Sequence, residues 1–233
     1  MPLHIVQRGH NREACFFCEE DYQSYLFWLG EALVKESAQL HAYALMTNHV
    51  HLLISSASGE SVPRLIMSLS RRYVQYINRT YRRTGTLWDG RYKSSLIHAD
   101  SYLLSCMRYI ELNPVRAAMV DDPAHYRWTR YRSNALGQSN ERLTPHPVYH
   151  ALGATAQARQ SAYRALFRAS LDQAAIDDIR LALNQNQPLG NNQFTARIAQ
   201  MTGERRRARP RGRPRKEARV PQSQHGQQSI PAM

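Results

Sequence analysis

The chain has 233 residues and carries 31 Lys and Arg against 18 Asp and Glu, a formal net charge of +13. So large a cationic excess, mostly arginine, points to a polyanionic partner, nucleic acid or an acidic surface. The sparse, odd set Cys15, Cys18 and Cys106 excludes a disulfide framework, and no apolar run is long enough to span a bilayer. No signal-peptide pattern follows Met1, so a soluble cytoplasmic protein working at the nucleoid, without a membrane partner, is expected.

Residues 3–7 read as a strand, closed by the basic loop Arg8-Gly9-His10-Asn11-Arg12. Glu19, Glu20 and Asp21 open a helix, where negative charge suits the dipole, and Tyr22, Leu26, Leu29 and Leu33 recur at helical spacing. Cys15-Phe16-Phe17-Cys18 has zinc-like spacing but no second pair to complete four ligands, so free thiols are expected. Residues 40–46 read as a second strand, Thr47-Asn48 as a two-residue turn, and His49 as the start of a third strand paired back on the second. Ser61 is expected to cap the next helix, with Pro63 in its first turn and Gly85 stopping it. Residues 92–98 read as a fourth strand. Asp100 should cap a helix running to Asn113, where Pro114 ends it.

Strand, helix, strand, strand, helix, strand and a further helix make the split βαβ plan. The expected fold is α+β, a ferredoxin-like antiparallel sheet with helices on one face. Residues 1–140 form this domain, 141–202 a helical region, and 203–233 a basic tail that should be disordered when free.

Chemistry enters with Met46-Thr47-Asn48-His49-Val50-His51-Leu52-Leu53-Ile54. On a strand, residues i and i+2 share a face, so His49 and His51 stand side by side while Val50, Leu52 and Ile54 turn to the core. Two imidazoles on a stiff strand suit a divalent cation, although a solvated pair would show the same spacing. On the last helix Tyr102, Cys106, Tyr109 and Asn113 fall on one face, beside an apolar stripe of Leu103, Met107 and Ile110. Tyr109 can be a nucleophile toward a phosphodiester, and the Asn113 amide oxygen can complete a metal site begun by the histidines.

These segments, with Gly85-Thr86-Leu87-Trp88-Asp89-Gly90-Arg91-Tyr92-Lys93-Ser94-Ser95 and Arg108-Tyr109-Ile110-Glu111-Leu112-Asn113-Pro114-Val115-Arg116-Ala117, closely resemble the REP-associated tyrosine transposases. These are the bacterial single-tyrosine branch of the HUH transposases. The resemblance implies that Tyr109 is the nucleophile and that His49, His51 and Asn113 bind Mg²⁺ or Mn²⁺. It implies cleavage of single-stranded DNA beside short palindromic hairpins through a 5′-phosphotyrosine, leaving a free 3′-OH for rejoining. What deprotonates the tyrosine is left open, with metal proximity and Arg108 as candidates. Whether one chain or two act together is also open. A non-catalytic hairpin-binding protein on the same fold, or a metallonuclease using water, are the alternatives.

A hairpin needs cationic and stacking groups. Arg91 and Lys93, inside a family segment next to Trp88, are candidates, as are Arg71 and Arg72 on the second helix and Arg8 and Arg12 on the first loop. The tail segment Arg211-Gly212-Arg213-Pro214-Arg215-Lys216 resembles an AT-hook for the minor groove of A·T-rich duplex DNA, although a generic polybasic tail would show the same short pattern. Residues 204–219 carry a net charge of +7, over half of the chain's excess.

Overall fold

The structure, a computed structural model, describes residues 1–139 and 144–203. Four strands, β1 (Leu3–Arg8), β2 (Ala38–Met46), β3 (His49–Ser56) and β4 (Lys93–Leu96), form one sheet in the order β2-β3-β1-β4. Every neighbouring pair is antiparallel. This is the ferredoxin-like arrangement, with the first strand interior. Helices α1 (Glu19–Lys35) and α2 (Ser61–Thr80) cover one face. Val50, Leu52 and Ile54 of β3 join Ile5 of β1 and Leu29, Leu65, Leu69 and Tyr73 of these helices in one buried cluster. Each such aliphatic side chain contributes about 1.5–3 kcal/mol by leaving water.

The hairpin that delivers His49 is held from outside. Met46 pairs with His49 across the Thr47-Asn48 turn. The amides of Cys15 and Phe16 donate to the Thr47 carbonyl, and that of Gly9 donates to the Asn48 carbonyl. A Cβ on Gly9 would lie 2.2 Å from the Glu13 carbonyl oxygen, so only glycine lets the first loop pass this close. Buried Asp21 ties α1 to the end of α2, accepting from the Phe17 and Cys18 amides and from the Tyr76 and Tyr81 hydroxyls.

Four helix ends differ from expectation. The N-cap of α2 is Glu60, and Ser61 is a buried first residue. This helix ends at Thr80 with Tyr81 as its C-cap, before Gly85, and Arg82 takes the left-handed turn at φ 49°. His98 rather than Asp100 is the N-cap of α3 (Ala99–Glu111). Helix α3 stops at Glu111 rather than Asn113, and a short helix α4 (Asn113–Arg116) restarts at once with Asn113, the residue before Pro114, already helical. Proline is tolerated in its first turn, where no backbone donor is needed.

The second face of the sheet carries α3, and over it pack α5 (Tyr131–Leu136), α6 (Pro147–His150), α7 (Ala156–Arg168) and α8 (Gln173–Gln185). Leu103, Cys106, Met107 and Ile110 of α3 share one core with Tyr131, Tyr149, Tyr163 and Ile176. The helical region is thus packed onto α3. It ends with α9 (Asn192–Thr202). The chain also closes both sheet edges. Leu189 donates to the Leu96 carbonyl beside β4, while Leu45 donates to the Trp128 carbonyl and Arg130 to the Tyr43 carbonyl beside β2. Among the described residues no helix is long and apolar enough to cross a membrane.

A buried acid joins the helical region to α3. Glu111 is 0% exposed and accepts from Asn134 Nδ2 and from the Tyr163 hydroxyl, both at 2.9 Å. Burial pushes its carboxyl from 4.5 up to about 7, opposed by these two donors and by Arg130. The folded state therefore holds the proton more tightly than the unfolded state between these two values. This group's contribution to stability is complete below pH 4.5 and is lost as pH rises through about 7, an effect of up to about 3 kcal/mol. Glu111→Gln should flatten the fall in Tm between pH 5 and pH 8; a slope equal to that of the unmodified protein would refute this linkage.

Candidate active site

The site lies on the sheet face under α3. In the β1–β3 register Val6 stands opposite His51 and Arg8 opposite His49. Paired residues share a face, so His4, Val6 and Arg8 of β1 point the same way as His49 and His51 of β3. The His49 and His51 rings are 5.0 Å apart. A third histidine joins them: His4 Nε2 is 2.9 Å from His51 Nδ1, and the two rings stack at 5.2 Å. His4 is a finding of the tertiary structure. Only its alternate position on β1 hinted at it, and that hint needs the neighbouring strand to be known.

Helix α3 brings Tyr109 onto this cluster. Its ring centroid lies 5.9 Å from both His4 and His51, edge-on to each. Asn113 follows beyond the break at Leu112. Its Nδ2 donates to the Tyr109 and Ile110 carbonyls at 3.1 and 3.4 Å, which leaves Oδ1 as the atom for a cation. The charge beside Tyr109 is not Arg108. That guanidinium turns away, donating to the Ala169 carbonyl and lying over the Phe167 ring. Arg116 takes the place instead, its Cζ 4.2 Å from the Tyr109 ring centroid and its Nη2 donating to the Tyr109 carbonyl at 2.7 Å. Arg116 lies on α4, beyond the break at Leu112, so no periodicity within one helix pointed to it. Arg116 Nη1 is buried with no partner among the described residues.

Electrostatics keep the imidazoles neutral. Burial lowers His4 to about 3 and, with Arg8 adding to it, His49 to about 4. His51 is held well below 6.5 by burial first, then by His4, His49, Arg116 and Arg8. Neutral imidazole is the form that binds metals. His49 Nδ1 is engaged by Asn48 Oδ1 at 2.7 Å and His51 Nδ1 by His4, so each ring has its Nε2 left over. An outer partner on the second ring nitrogen is the usual arrangement for a metal-binding histidine. The imidazole nitrogens of His49 and His51 and the amide oxygen of Asn113 are donor types that suit a divalent ion. Among the described residues no group of three or more His, Cys, Asp or Glu is placed to hold one.

The expected DNA contacts separate into groups. Arg8 and Lys93 lie on the histidine face, since Lys93 stands opposite Val6. Lys93 Nζ donates to Asn184 Oδ1 at 3.0 Å. Arg91 and Arg12 are exposed on the adjoining loops. Arg71 and Arg72 belong to α2, on the opposite side of the sheet, and Arg72 pairs with Glu31 at 2.6 Å. Arg211, Arg213 and Arg215 lie outside the described residues. Trp88 is 5% exposed, with its ring against Tyr73, so it cannot offer a face to a base without leaving the core. Trp88→Ala should cost about 3–5 kcal/mol in urea denaturation, whereas Trp88→Phe should keep most stability and unchanged hairpin affinity. Loss of affinity in a stable Trp88→Phe protein would return the ring to the DNA.

Residues 1–113 match the family model described as "Transposase IS200 like". No curated protein matches the chain. Among solved structures, a REP-associated tyrosine transposase bound to a REP hairpin superposes with a TM-score of 0.52 at 12% identity, over 62% of this chain and 86% of that one. A candidate transposase from Deinococcus radiodurans R1 matches with a TM-score of 0.36 at 17% identity, over 46% of this chain and 86% of that one. The first of these shares the ferredoxin-like fold described above. Residues 1–113, just under half of the chain, thus resemble the IS200-like transposases in sequence, on a fold shared with the first of these structures.

Proposed function

We propose that the protein nicks and rejoins single-stranded DNA beside short palindromic hairpins through a covalent 5′-phosphotyrosine on Tyr109. The observation that carries this reading is Tyr109 held 5.9 Å, ring to ring, from His51, with His49 beyond it. A packing tyrosine has no need of two neutral imidazoles with free Nε2 atoms. The hairpin is suggested by the structural neighbour, itself bound to a REP hairpin.

The Tyr109 hydroxyl oxygen attacks phosphorus, and the bond from phosphorus to the 3′-oxygen breaks. The phenol loses its proton and the departing 3′-oxygen gains one. Attack by a 3′-OH reverses the step on the same or a new strand, so the bond energy is kept and no ATP is needed. His49, His51 and Asn113 would hold Mg²⁺ or Mn²⁺, which supplies charge neutralisation at the phosphate. Arg116 holds the ring from its face, with Cζ 4.2 Å from the centroid, and so helps to orient Tyr109. Arg8 and Lys93, on the same face, and Arg12 and Arg91 nearby are placed to take the sugar–phosphate backbone. Arg71 and Arg72 would meet DNA only on the far side of the sheet. Because the chain covers both sheet edges itself, edge pairing with a second copy is closed, which favours a single chain performing both steps.

A hairpin oligonucleotide with labelled flanks, incubated with Mn²⁺ and run on a denaturing gel, should give a covalent adduct that disappears in Tyr109→Phe. His49→Ala or His51→Ala should slow adduct formation at least about 100-fold, since several kcal/mol of charge stabilisation is lost. Cleavage without adduct would point to water as the nucleophile. Hairpin binding without cleavage would leave a binding protein on the same fold.

The basic tail is proposed to grip duplex DNA. Removing residues 204–233 should weaken duplex binding and flatten its salt dependence, because released counterions scale with contacted phosphates. Cleavage of a pre-bound hairpin should survive. Equal affinities across a salt series, with and without the tail, would defeat this assignment.

A further inference from the structure

We propose that His4 is a positioning residue for His51: its Nε2 accepts the His51 Nδ1 proton and so leaves the His51 Nε2 lone pair for a divalent cation. This rests on the metal reading of His49 and His51 given above. The geometry sets the logic. The two rings share one hydrogen bond, His4 Nε2 to His51 Nδ1 at 2.9 Å. Each neutral ring carries one proton, and only one proton can lie between the two nitrogens. Two arrangements exist. In the first, His4 Nε2–H donates to His51 Nδ1, and the His51 proton sits on Nε2, where it blocks a cation. In the second, His51 Nδ1–H donates to His4 Nε2, and His51 Nε2 is a free lone pair. Only the second can bind, and it places the His4 proton on Nδ1.

Three observations single out His4 rather than a passive neighbour. Its side chain is 0% exposed, so water cannot substitute as the partner of His51 Nδ1. Its Nδ1 is buried without a partner among the described residues, so that atom is unsatisfied in either arrangement and the cation on His51 is what selects between them. Stacking at 5.2 Å and 25° holds the ring on His51, and an edge contact at 5.9 Å places it against Tyr109. One buried ring thus supports both the cation-binding histidine and the nucleophile. His49 is built the same way, with Asn48 Oδ1 at 2.7 Å as its Nδ1 partner. There the partner is an acceptor with no alternative proton. His4, by contrast, can donate or accept, and only its accepting form leaves His51 Nε2 for a cation.

The test uses the full-length protein and Mn²⁺ alone, with affinity read by titration calorimetry. His4→Phe keeps the ring volume but removes the acceptor, and Mn²⁺ affinity should fall about tenfold or more, the usual effect of losing an outer partner. His4→Gln offers an amide oxygen at a similar reach and should retain affinity. Unchanged affinity in a folded His4→Phe protein would overturn the role of His4 while leaving His49 and His51 as ligands. Absence of Mn²⁺ binding by the unmodified protein would overturn both. If His4→Phe does not fold, long-range ¹⁵N–¹H spectra of the unmodified protein decide. On adding Mg²⁺ the protons of His4 and His51 should both appear on Nδ1. A His51 proton that stays on Nε2 with the ion bound would refute the proposal.

Discussion

The pairing of β1 with β3 is the constraint on which this molecule depends. It makes the first strand interior to the sheet, and its register puts Val6 opposite His51 and Arg8 opposite His49. From that follow the buried contact of His4 with His51 and the Arg8 guanidinium at the open end of the strand. A slip of one residue would send His4 into the α1–α2 core and Ile5 onto the polar face. The register is held by the apolar alternation of Ile5, Val50, Leu52 and Ile54, and by a hairpin turn clamped by three backbone donors from the first loop.

The sheet separates two tasks. One face, with α1 and α2, is a conventional core of aliphatic and aromatic side chains. The other carries the buried His4 and His51 near α3, whose own Glu111 is buried against the C-terminal helices that cover it. Buried polar groups are tolerated when each finds a partner. Here the partners come from distant segments, as Asn134 and Tyr163 do for Glu111. The residues after 130 therefore fix the helix that carries Tyr109. Their packing belongs to the site as much as to stability.

Arginine does two different things in this chain. Arg116 and Arg130 are spent inside, where they donate to backbone carbonyls at the end of the Tyr109 helix and along β2. Arg8, Arg12, Arg71 and Arg91 stay exposed and keep the charge that meets a polyanion. Composition alone counts both kinds as one basic surface. The difference matters at Arg108 and Arg116, which flank the same helix end but face opposite ways.

Local rules were enough for much of the architecture. Alternation on β3, the two-residue turn before His49, the apolar stripe of α3 and the order of strands and helices all follow from periodicities within a short window. So do the side-by-side placement of His49 and His51 and the facing of Tyr109 toward the sheet. Helix ends were less legible, since Arg82 can take a left-handed turn where glycine at 85 looked necessary, and Pro114 sits in the first turn of a new helix. Contacts between segments far apart in the chain were not legible at all. The partnership of His4 with His51 spans 47 positions, the burial of Trp88 depends on Tyr73, and the choice of Arg116 over Arg108 depends on where α7 docks. Sequence by itself determined which residues share a strand or helix face, because the backbone repeat fixes that. Only the tertiary structure decided which faces meet, because strand order, register and helix docking are set by the summed burial of the whole chain.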